Sequence, residues 1–319
     1  MLPAALHRIR CPALFCEALY SNGQFVPRRP ESEVTLKDQE LIDQISQYCQ
    51  FEYVMDGDRC SEISFHRKDC PLGGTIRRHP LKTRIVSMVC AFPYLRKLDL
   101  RKCKVAQIEE MASRDLEYLD LSCNDLATMP SWVLKQHGLK TLNLGGNRIQ
   151  WLPDLSSLPL ETLKLHKNQL TETPAIWGGI KCLNIFLNRM NAIPSILGYP
   201  ELEVFTFGVS AAVHLPPLAS LPALRWLTIA ANQIERLPDD IVGLKHLEGL
   251  ILPKNRLKAL PDHFGDLNLQ ALNLYSNDLA RLPESFYRLK LNKLNLARNP
   301  LLNPDRVRQV FGEIDFIQI

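Results

Sequence analysis

A single spacing of leucines governs about two-thirds of this 319-residue chain. From Leu95 onward the sequence repeats the form L-x-x-L-x-L-x-x-N-x-L-x-x-L-P, as in the copy from Leu139 to Pro153. The ten copies start at Leu95, Leu116, Leu139, Leu160, Ile180, Leu202, Leu224, Leu247, Leu269 and Leu291. Successive copies begin 20 to 23 residues apart. Each copy is too short to bury its leucines alone, so the copies must stack on one another.

The alternation within each repeat predicts one short β-strand. In Leu-x-Leu, both leucines point to one face, and stacked copies therefore give a parallel sheet backed by a leucine core. The ninth position falls at a turn, where an asparagine can hydrogen-bond unpaired backbone groups. We expect a ladder formed by Asn124, Asn147, Asn168, Asn188, Asn232, Asn255, Asn277 and Asn299. The proline that closes most copies favours an extended or 3₁₀-like return.

Two repeats depart from this pattern. The first has Cys103 in place of the asparagine, and the sixth has Ser210 there, with Phe205 and Phe207 at leucine positions. Two interpretations of the sixth repeat stay open. It is either simple drift in a core that accepts aromatic rings, or a local bend or lateral contact site.

The repeats resemble the leucine-rich repeat superfamily over residues 93–302. The short period and the closing Leu-Pro are similar to intracellular scaffold proteins of the Ras-scaffold type and to effectors that bacteria inject into host cells. The resemblance implies an α/β solenoid, a horseshoe with about ten parallel strands on its concave face. It implies function only as a class, the binding of another macromolecule.

The two ends are expected to cap the core. Residues 303–319 predict a C-terminal cap, because Asn303 and Pro304 suit the start of a helix with Val307, Val310 and Phe311 on one face.

Residues 1–92 predict an N-terminal region whose last part caps the first repeat. Thr35 and Asp38 resemble a weak capping box before a helix that runs to Cys49. Residues 51–54 and 63–65 are interpreted as strands or degenerate repeats.

Cysteine usage favours a reducing compartment. Six of the nine cysteines precede residue 91, none follows Cys182, and no Asn-x-Ser/Thr sequon occurs. Extracellular repeat proteins of this kind usually close both ends with disulfides, so we expect a cytoplasmic protein, with the nucleus or a host cytosol as alternatives. Pro12 and Glu17 interrupt the apolar start, which argues against a secretory signal. No apolar run is long enough to predict a membrane span.

Motifs for catalysis or metal binding are weak. Cys60, His66, Cys70 and His79 could be zinc ligands, but their spacing matches no standard finger, and core or turn positions are the alternative. The sequence Cys123-Asn124-Asp125 resembles the Cys-x-Asp loop of bacterial ubiquitin-ligase effectors, but it lies inside a repeat and is interpreted as coincidence. The sequence therefore predicts no enzyme, no metal and no cofactor.

A basic stretch runs from Arg67 to Lys104. It holds eleven Lys or Arg residues against Asp69 and Asp99. Such a cluster can contact an acidic protein, nucleic acid or an anionic membrane surface, although no nucleic-acid module is recognisable. A solvated cap surface is the alternative.

The outward strand positions are the candidate partner site. Counting the first leucine as position one, positions three, five, seven and eight should face the concave side. They are charged in the first repeats, at Lys97, Asp99, Arg101, Lys102 and Asp120. In the middle they are apolar and bordered by basic residues: Lys164, His166, Phe186, Leu187, Val204, Val209, Trp226, Ile251 and Tyr275. We interpret the apolar stripe as an interface; isolated exposed aromatic residues are the alternative.

The leading functional hypothesis is a scaffold or adaptor that binds a protein through this face. One alternative is a secreted bacterial effector that binds a host protein. Another is a recognition or regulatory subunit in a ubiquitin-ligase, phosphatase or small-GTPase pathway. An enzyme with its chemistry in residues 1–92 is the remaining class.

Overall fold

The computed structural model describes 6–8, 38–47, 51–65, 80–176, 178–195, 198–208, 211–215, 217–218, 221–314 and 316–318. The chain forms two compact units. The first comprises Met1–Asp125 with Pro130–Leu139, and the second comprises Leu126–Met129 with Lys140–Ile319. The division into a cap at 1–92, a solenoid at 93–302 and a cap at 303–319 stays a prediction.

The first unit contains two helices and five strands in its described part. They are β1 (Leu6–Arg8), α1 (Asp38–Ser46), β2 (Glu52–Asp56), β3 (Arg59–Ser64), α2 (Pro80–Cys90), β4 (Lys97–Asp99) and β5 (Tyr118–Asp120). β2 pairs antiparallel with both β1 and β3, whereas β3, β4 and β5 are parallel in that order. Ile63 is in register with Leu98 and Leu119, so the hairpin places an isoleucine where the repeats place a leucine.

Helices α1 and α2 cover the core of this unit. Leu41, Ile42 and Ile45 of α1 are buried; Ile45 lies about one helical turn after the other two, as expected for an amphipathic helix. The carboxylate of Asp38 is buried as well, and it accepts a hydrogen bond from the Cys60 backbone N–H. Thr35, the other half of the expected capping box, lies outside the described residues. Helix α2 was not predicted from the sequence; its buried side chains include Ile85 and Val89.

The second unit contains the other repeat strands and the C-terminal elements. They are β6 (Thr141–Asn143), β7 (Thr162–Lys164), β8 (Cys182–Asn184), β9 (Val204–Gly208), β10 (Trp226–Ala230), β11 (Gly249–Ile251), β12 (Ala271–Asn273), β13 (Lys293–Asn295), α3 (Pro304–Phe311) and β14 (Phe316–Gln318). Each strand is parallel to the next. The fourth repeat position stays in register throughout, from Leu142 to Leu294. The predicted stack of parallel strands on a leucine core is confirmed.

An asparagine at position five forms a local turn in four repeats of this unit. In β6, β8, β12 and β13 an asparagine there accepts the N–H two residues later, at 3.0 to 3.1 Å. These four strands have three residues each, as do β7 and β11, which have Lys164 and Ile251 at this position. Thr206 and Thr228 occupy the same position in β9 and β10, which run for five residues.

The asparagines at position nine bind backbone groups of two repeats. Asn277 donates from Nδ2 to the carbonyls of Leu252 and Leu274, at 3.0 and 2.9 Å, and its Oδ1 accepts the Leu257 N–H at 3.0 Å. The same three contacts recur at Asn124, Asn168, Asn188, Asn255 and Asn299. Asn147 accepts the Leu126 N–H and donates to the Leu144 carbonyl.

Asn232 differs from the other asparagines. Its Nδ2 donates to the Ala230 carbonyl at 3.0 Å, but its buried Oδ1 has no hydrogen-bond partner among the described residues. The donor that the pattern requires belongs to the irregular sixth repeat, whose Ser210 lies outside the described ranges.

The C-terminal helix closes the core with two residues. Val307 and Phe311 of α3 are buried, and the Phe311 ring meets Phe286 edge-on at 5.6 Å. The prediction that Val310 shares this face is wrong, because Val310 is 45% exposed. A face only two residues wide is enough where a helix covers the end of a core rather than its side. Asn303 precedes the helix but makes no side-chain capping hydrogen bond.

Candidate protein-binding face

The outward side chains of β6 to β13 form one face of the second unit, which we call the strand face. Positions four and six are turned into the leucine core, so positions three, five, seven and eight are turned away from it. Eight predicted site residues lie here, with Trp226 38% exposed and the others partly exposed. These eight are Lys164, His166, Phe186, Leu187, Val204, Trp226, Ile251 and Tyr275. Val209 lies outside the described residues.

Three rings of the strand face lie against glycines of a neighbouring strand. A Cβ atom placed on Gly249 would stand 2.1 Å from Cε3 of Trp226. The corresponding distances are 2.7 Å from Gly208 to Cε2 of Phe186, and 2.2 Å from Gly145 to Cε1 of His166. The missing side chains thus create the space in which the rings lie. A ring held this way loses little further freedom on binding, which favours affinity.

Two of these rings, Phe186 and Trp226, belong to a group of outward residues that we call the apolar patch: Phe186, Leu187, Val204, Trp226, Ile251 and Tyr275. Val204 on β9 pairs directly with Trp226 on β10. Ile251 on β11 pairs with Thr228, which lies two residues after Trp226 on β10. The patch spans four strand spacings, roughly 20 Å at about 4.8 Å each. The Arg298 guanidinium lies over the Tyr275 ring at 5.3 Å and borders the patch at one end.

The supporting glycines were not identified from the sequence. The available signal was their position, because Gly145, Gly208 and Gly249 all occupy outward places in strands or at strand ends. Glycine inside a strand pattern often marks the close approach of another group. Here that group is an aromatic ring.

Charged residues at position two line the rim of the strand face. Their sign alternates from repeat to repeat, in the order Lys140, Glu161, Lys181, Glu203, Arg225 and Glu248. Lys181 pairs with Glu161 at 3.1 Å and Arg225 pairs with Glu248 at 2.6 Å. The acids of this rim therefore have neighbouring cations.

Below this rim lies an open groove of about 870 Å³, lined by residues that include Lys245, His246, Asp266, Arg288 and Lys290. Charges of both signs line it, so it has no marked preference for an anion or a cation. It was not identified from the sequence.

The charges expected on the face of the first repeats largely contact one another. The buried carboxylate of Asp99 accepts hydrogen bonds from the backbone N–H and the guanidinium of Arg101, which raises the pKa of Arg101. Asp120, also buried, accepts the Ser122 N–H at 2.8 Å. Lys97 pairs with Glu62 at 3.0 Å. Of the residues expected here, Lys97, Arg101 and Lys102 are exposed, whereas Asp99 and Asp120 are buried.

The basic stretch from Arg67 to Lys104 is only partly described. Side chains from 66 to 84 lie outside the described residues. Its role in binding nucleic acid or an anionic surface stays a prediction.

The zinc hypothesis rests on residues that are mostly outside the described part. Cys60 is buried, and burial, followed by the charge of Asp38, raises the pKa of its thiol to about 12. A metal-binding thiolate needs a lowered pKa. His66, Cys70 and His79 lie outside the described ranges, and no cluster of metal-ligating side chains occurs within those ranges.

Cys123 is exposed, but the asparagine that follows it is bonded to Leu100 and Leu121. The structure gives the Cys-Asn-Asp sequence the geometry of a repeat turn. No helix in the described ranges is long and apolar enough to cross a bilayer.

Solved structures with a similar fold are repeat proteins. A leucine-rich repeat protein of Leptospira interrogans is 30% identical, with a TM-score of 0.67, over 72% of this chain and 62% of that chain. YopM from Yersinia enterocolitica is 28% identical with a TM-score of 0.51, over 65% of this chain and 43% of that chain.

Sequence relatives cover shorter segments. Mouse Podocan-like protein 1 is 32% identical over 188 residues, which are 48% of this chain and 33% of that protein. Goat Toll-like receptor 2 is 28% identical over 149 residues, 44% of this chain and 19% of the receptor. The chain thus spans a third or less of the length of these relatives, and no family profile matches it. The chain therefore has the parallel-strand solenoid fold of leucine-rich repeat proteins and is similar to them in sequence over part of its length.

Proposed function

We propose that this chain is a scaffold or adaptor that binds a protein partner through the apolar patch. The observation that carries the proposal is Trp226, a tryptophan 38% exposed at the centre of the patch and lying on Gly249. Partly exposed aromatic anchors with apolar neighbours are typical of the residues that dominate protein interfaces. The likeness to other leucine-rich repeat proteins supports a role in interaction.

The proposed compartment is a reducing one, the cytoplasm or a host cytosol. Cys60 and Cys90 are buried as free thiols, and no disulfide joins cysteines within the described ranges. Counting free thiols in protein isolated from its native cell under alkylating conditions tests this proposal.

The test of the binding role compares two exposed tryptophans. The wild-type protein recovers its partner from a lysate of its own cell, and the purified partner is then titrated with Trp226→Ala, Phe186→Ala and Trp151→Ala variants. Trp151 is 59% exposed but lies outside the strand positions, so it is the matched control. We expect the first two changes to weaken binding by a factor of roughly 30, as for an interface anchor. Equal affinity for all proteins would overturn the proposal.

A fourth variant keeps Trp226 but removes its support. The added methyl group in Gly249→Ala displaces the Trp226 ring, so binding should weaken although no partner contact is deleted. Unchanged affinity in this variant would show that the placement of the ring does not matter. Circular dichroism and thermal unfolding check that each variant is folded.

A further inference from the structure

The strand face of the second unit carries cations without acids. From Thr141 to Arg298, no Asp or Glu occupies position three, five, seven or eight of any repeat. The same positions hold Lys164, Lys167, Lys254, Lys293 and Arg298. The face is therefore positive, whereas the rim beside it alternates in sign.

These five cations are available to a partner. Among the described residues none of them pairs with a carboxylate, and all are exposed except Lys164, which is partly exposed. By contrast, rim and surface lysines such as Lys181 and Lys258 have acidic partners at 3.1 and 2.8 Å. An unpaired charge next to an apolar surface gives selectivity, because a partner of like charge is repelled.

The cations lie on both sides of Trp226 along the stack of strands. Lys164 and Lys167 belong to the repeat of β7, and Lys254 belongs to that of β11, whereas the repeats of β8 to β10 have none at these positions. Four strand spacings separate β7 from β11, which is roughly 19 Å. An extended peptide covers that distance with about six residues.

We infer that the partner presents an acidic peptide segment, extended across the strands, with acidic residues about six positions apart and aliphatic or aromatic residues between them. Its carboxylates would face Lys164 and Lys167 at one end and Lys254 at the other, and its apolar side chains would cover Trp226. The inference rests on the proposed binding role of the patch and names the chemistry of the partner. It goes beyond that role, since a neutral or basic partner could also use an apolar face.

A nucleic acid fits the same charges less well. Val204, Leu187 and Ile251 offer no hydrogen-bond donors to phosphates, and the cation-free span of β8 to β10 would leave several phosphates without a counter-charge. Stacking on Phe186 and Trp226 would be the remaining attraction. The charge and the aliphatic surface together favour a polypeptide.

The experiment selects a display library of random twelve-residue peptides on the full chain, with counter-selection on the Trp226→Ala variant. We expect enriched peptides to combine Glu or Asp at both ends with apolar residues at the centre. A synthetic peptide of that consensus should bind about fivefold more weakly to a Lys164→Gln, Lys254→Gln double variant in 50 mM NaCl. The Lys258→Gln variant is the matched control and should bind as the wild type does.

Each other outcome overturns the inference in a recognisable way. Neutral or basic peptides that depend on Trp226 would refute the acidic partner and leave the proposed function intact. Failure to enrich any peptide over the Trp226→Ala variant would count against both. A single-stranded oligonucleotide that binds more tightly than the selected peptide, and loses affinity in the double variant, would replace the polypeptide by a nucleic acid.

Discussion

An asparagine at the ninth position of a repeat satisfies backbone groups that strands leave unpaired. Asn277 makes three such bonds, whereas Asn232 makes one and leaves its Oδ1 without a partner in the described part of the chain. Two identical side chains, both buried, thus differ in what they contribute to stability. A buried donor or acceptor left unpaired costs about 1–3 kcal/mol.

We predict that Asn277→Ala lowers the free energy of unfolding by about 3 kcal/mol, and Asn232→Ala by about 1 kcal/mol or less. The first change leaves two carbonyls and one N–H without hydrogen-bond partners. The second leaves one carbonyl without a partner but also removes an unpaired oxygen. Urea unfolding followed by circular dichroism measures both. Equal losses would contradict the hydrogen-bond assignment.

Some residue positions could be predicted from the sequence, and others could not. The repeat spacing predicted the turn position of the asparagines, and the alternation along each strand predicted which side chains point outward. Neither could show that Asp99 and Asp120 are buried against their own loops, or that Gly249 makes room for Trp226. The contact between Gly249 and Trp226 joins two different repeats, so no local pattern encodes it.

Among the elements, the caps were harder to predict than the strands. A repeat strand has nine other copies that define its pattern, whereas α2 and β14 occur once, and β14 is only three residues long. The C-terminal helix was predicted from its first residues, but its buried face is narrower than expected. Phe311 anchors it by contacting Phe286, which in turn stacks on Phe264 at 6.3 Å.

We predict that Phe311→Ala destabilises the second unit by about 3–4 kcal/mol, because it removes a buried ring and opens the end of the core. The neighbouring Val310→Ala change removes an exposed side chain and should cost under about 0.5 kcal/mol. Thermal unfolding of both variants makes the comparison. A similar loss in the two would show that α3 does not seal the core.

Across the whole molecule, residues at the same repeat position have the same structural role in successive repeats, and we call each such set a row. Position four is buried leucine in most repeats, position nine is hydrogen-bonded asparagine, position two is the alternating rim, and the outward positions form the strand face. The fold could be predicted because the rows recur ten times. A binding surface differs at every repeat, so repetition carries no information about its partner.

Burial should also determine how fast the cysteine thiols of the first unit react with alkylating reagents. Desolvation, the main cause, raises the pKa of Cys60 and Cys90 to about 12, above the ordinary value near 9. Their reactive thiolates therefore form only as the pH approaches 12 or when the unit unfolds. At pH 8.5 we predict rapid alkylation of exposed Cys123 and very slow alkylation of Cys60 and Cys90. Residue-resolved mass spectrometry measures the rates; comparable rates at all three would refute the burial.

Site-specific photo-crosslinking in the native cell distinguishes the apolar patch from other exposed surfaces as the place where a partner binds. A benzophenone amino acid replaces Trp226 in one protein and Trp151 in another, at two exposed positions of which only the first lies on the strand face. We expect a defined protein adduct from position 226 and none from position 151. An adduct from position 151 alone, or no adduct from position 226, would contradict the claim that the apolar patch is the binding surface.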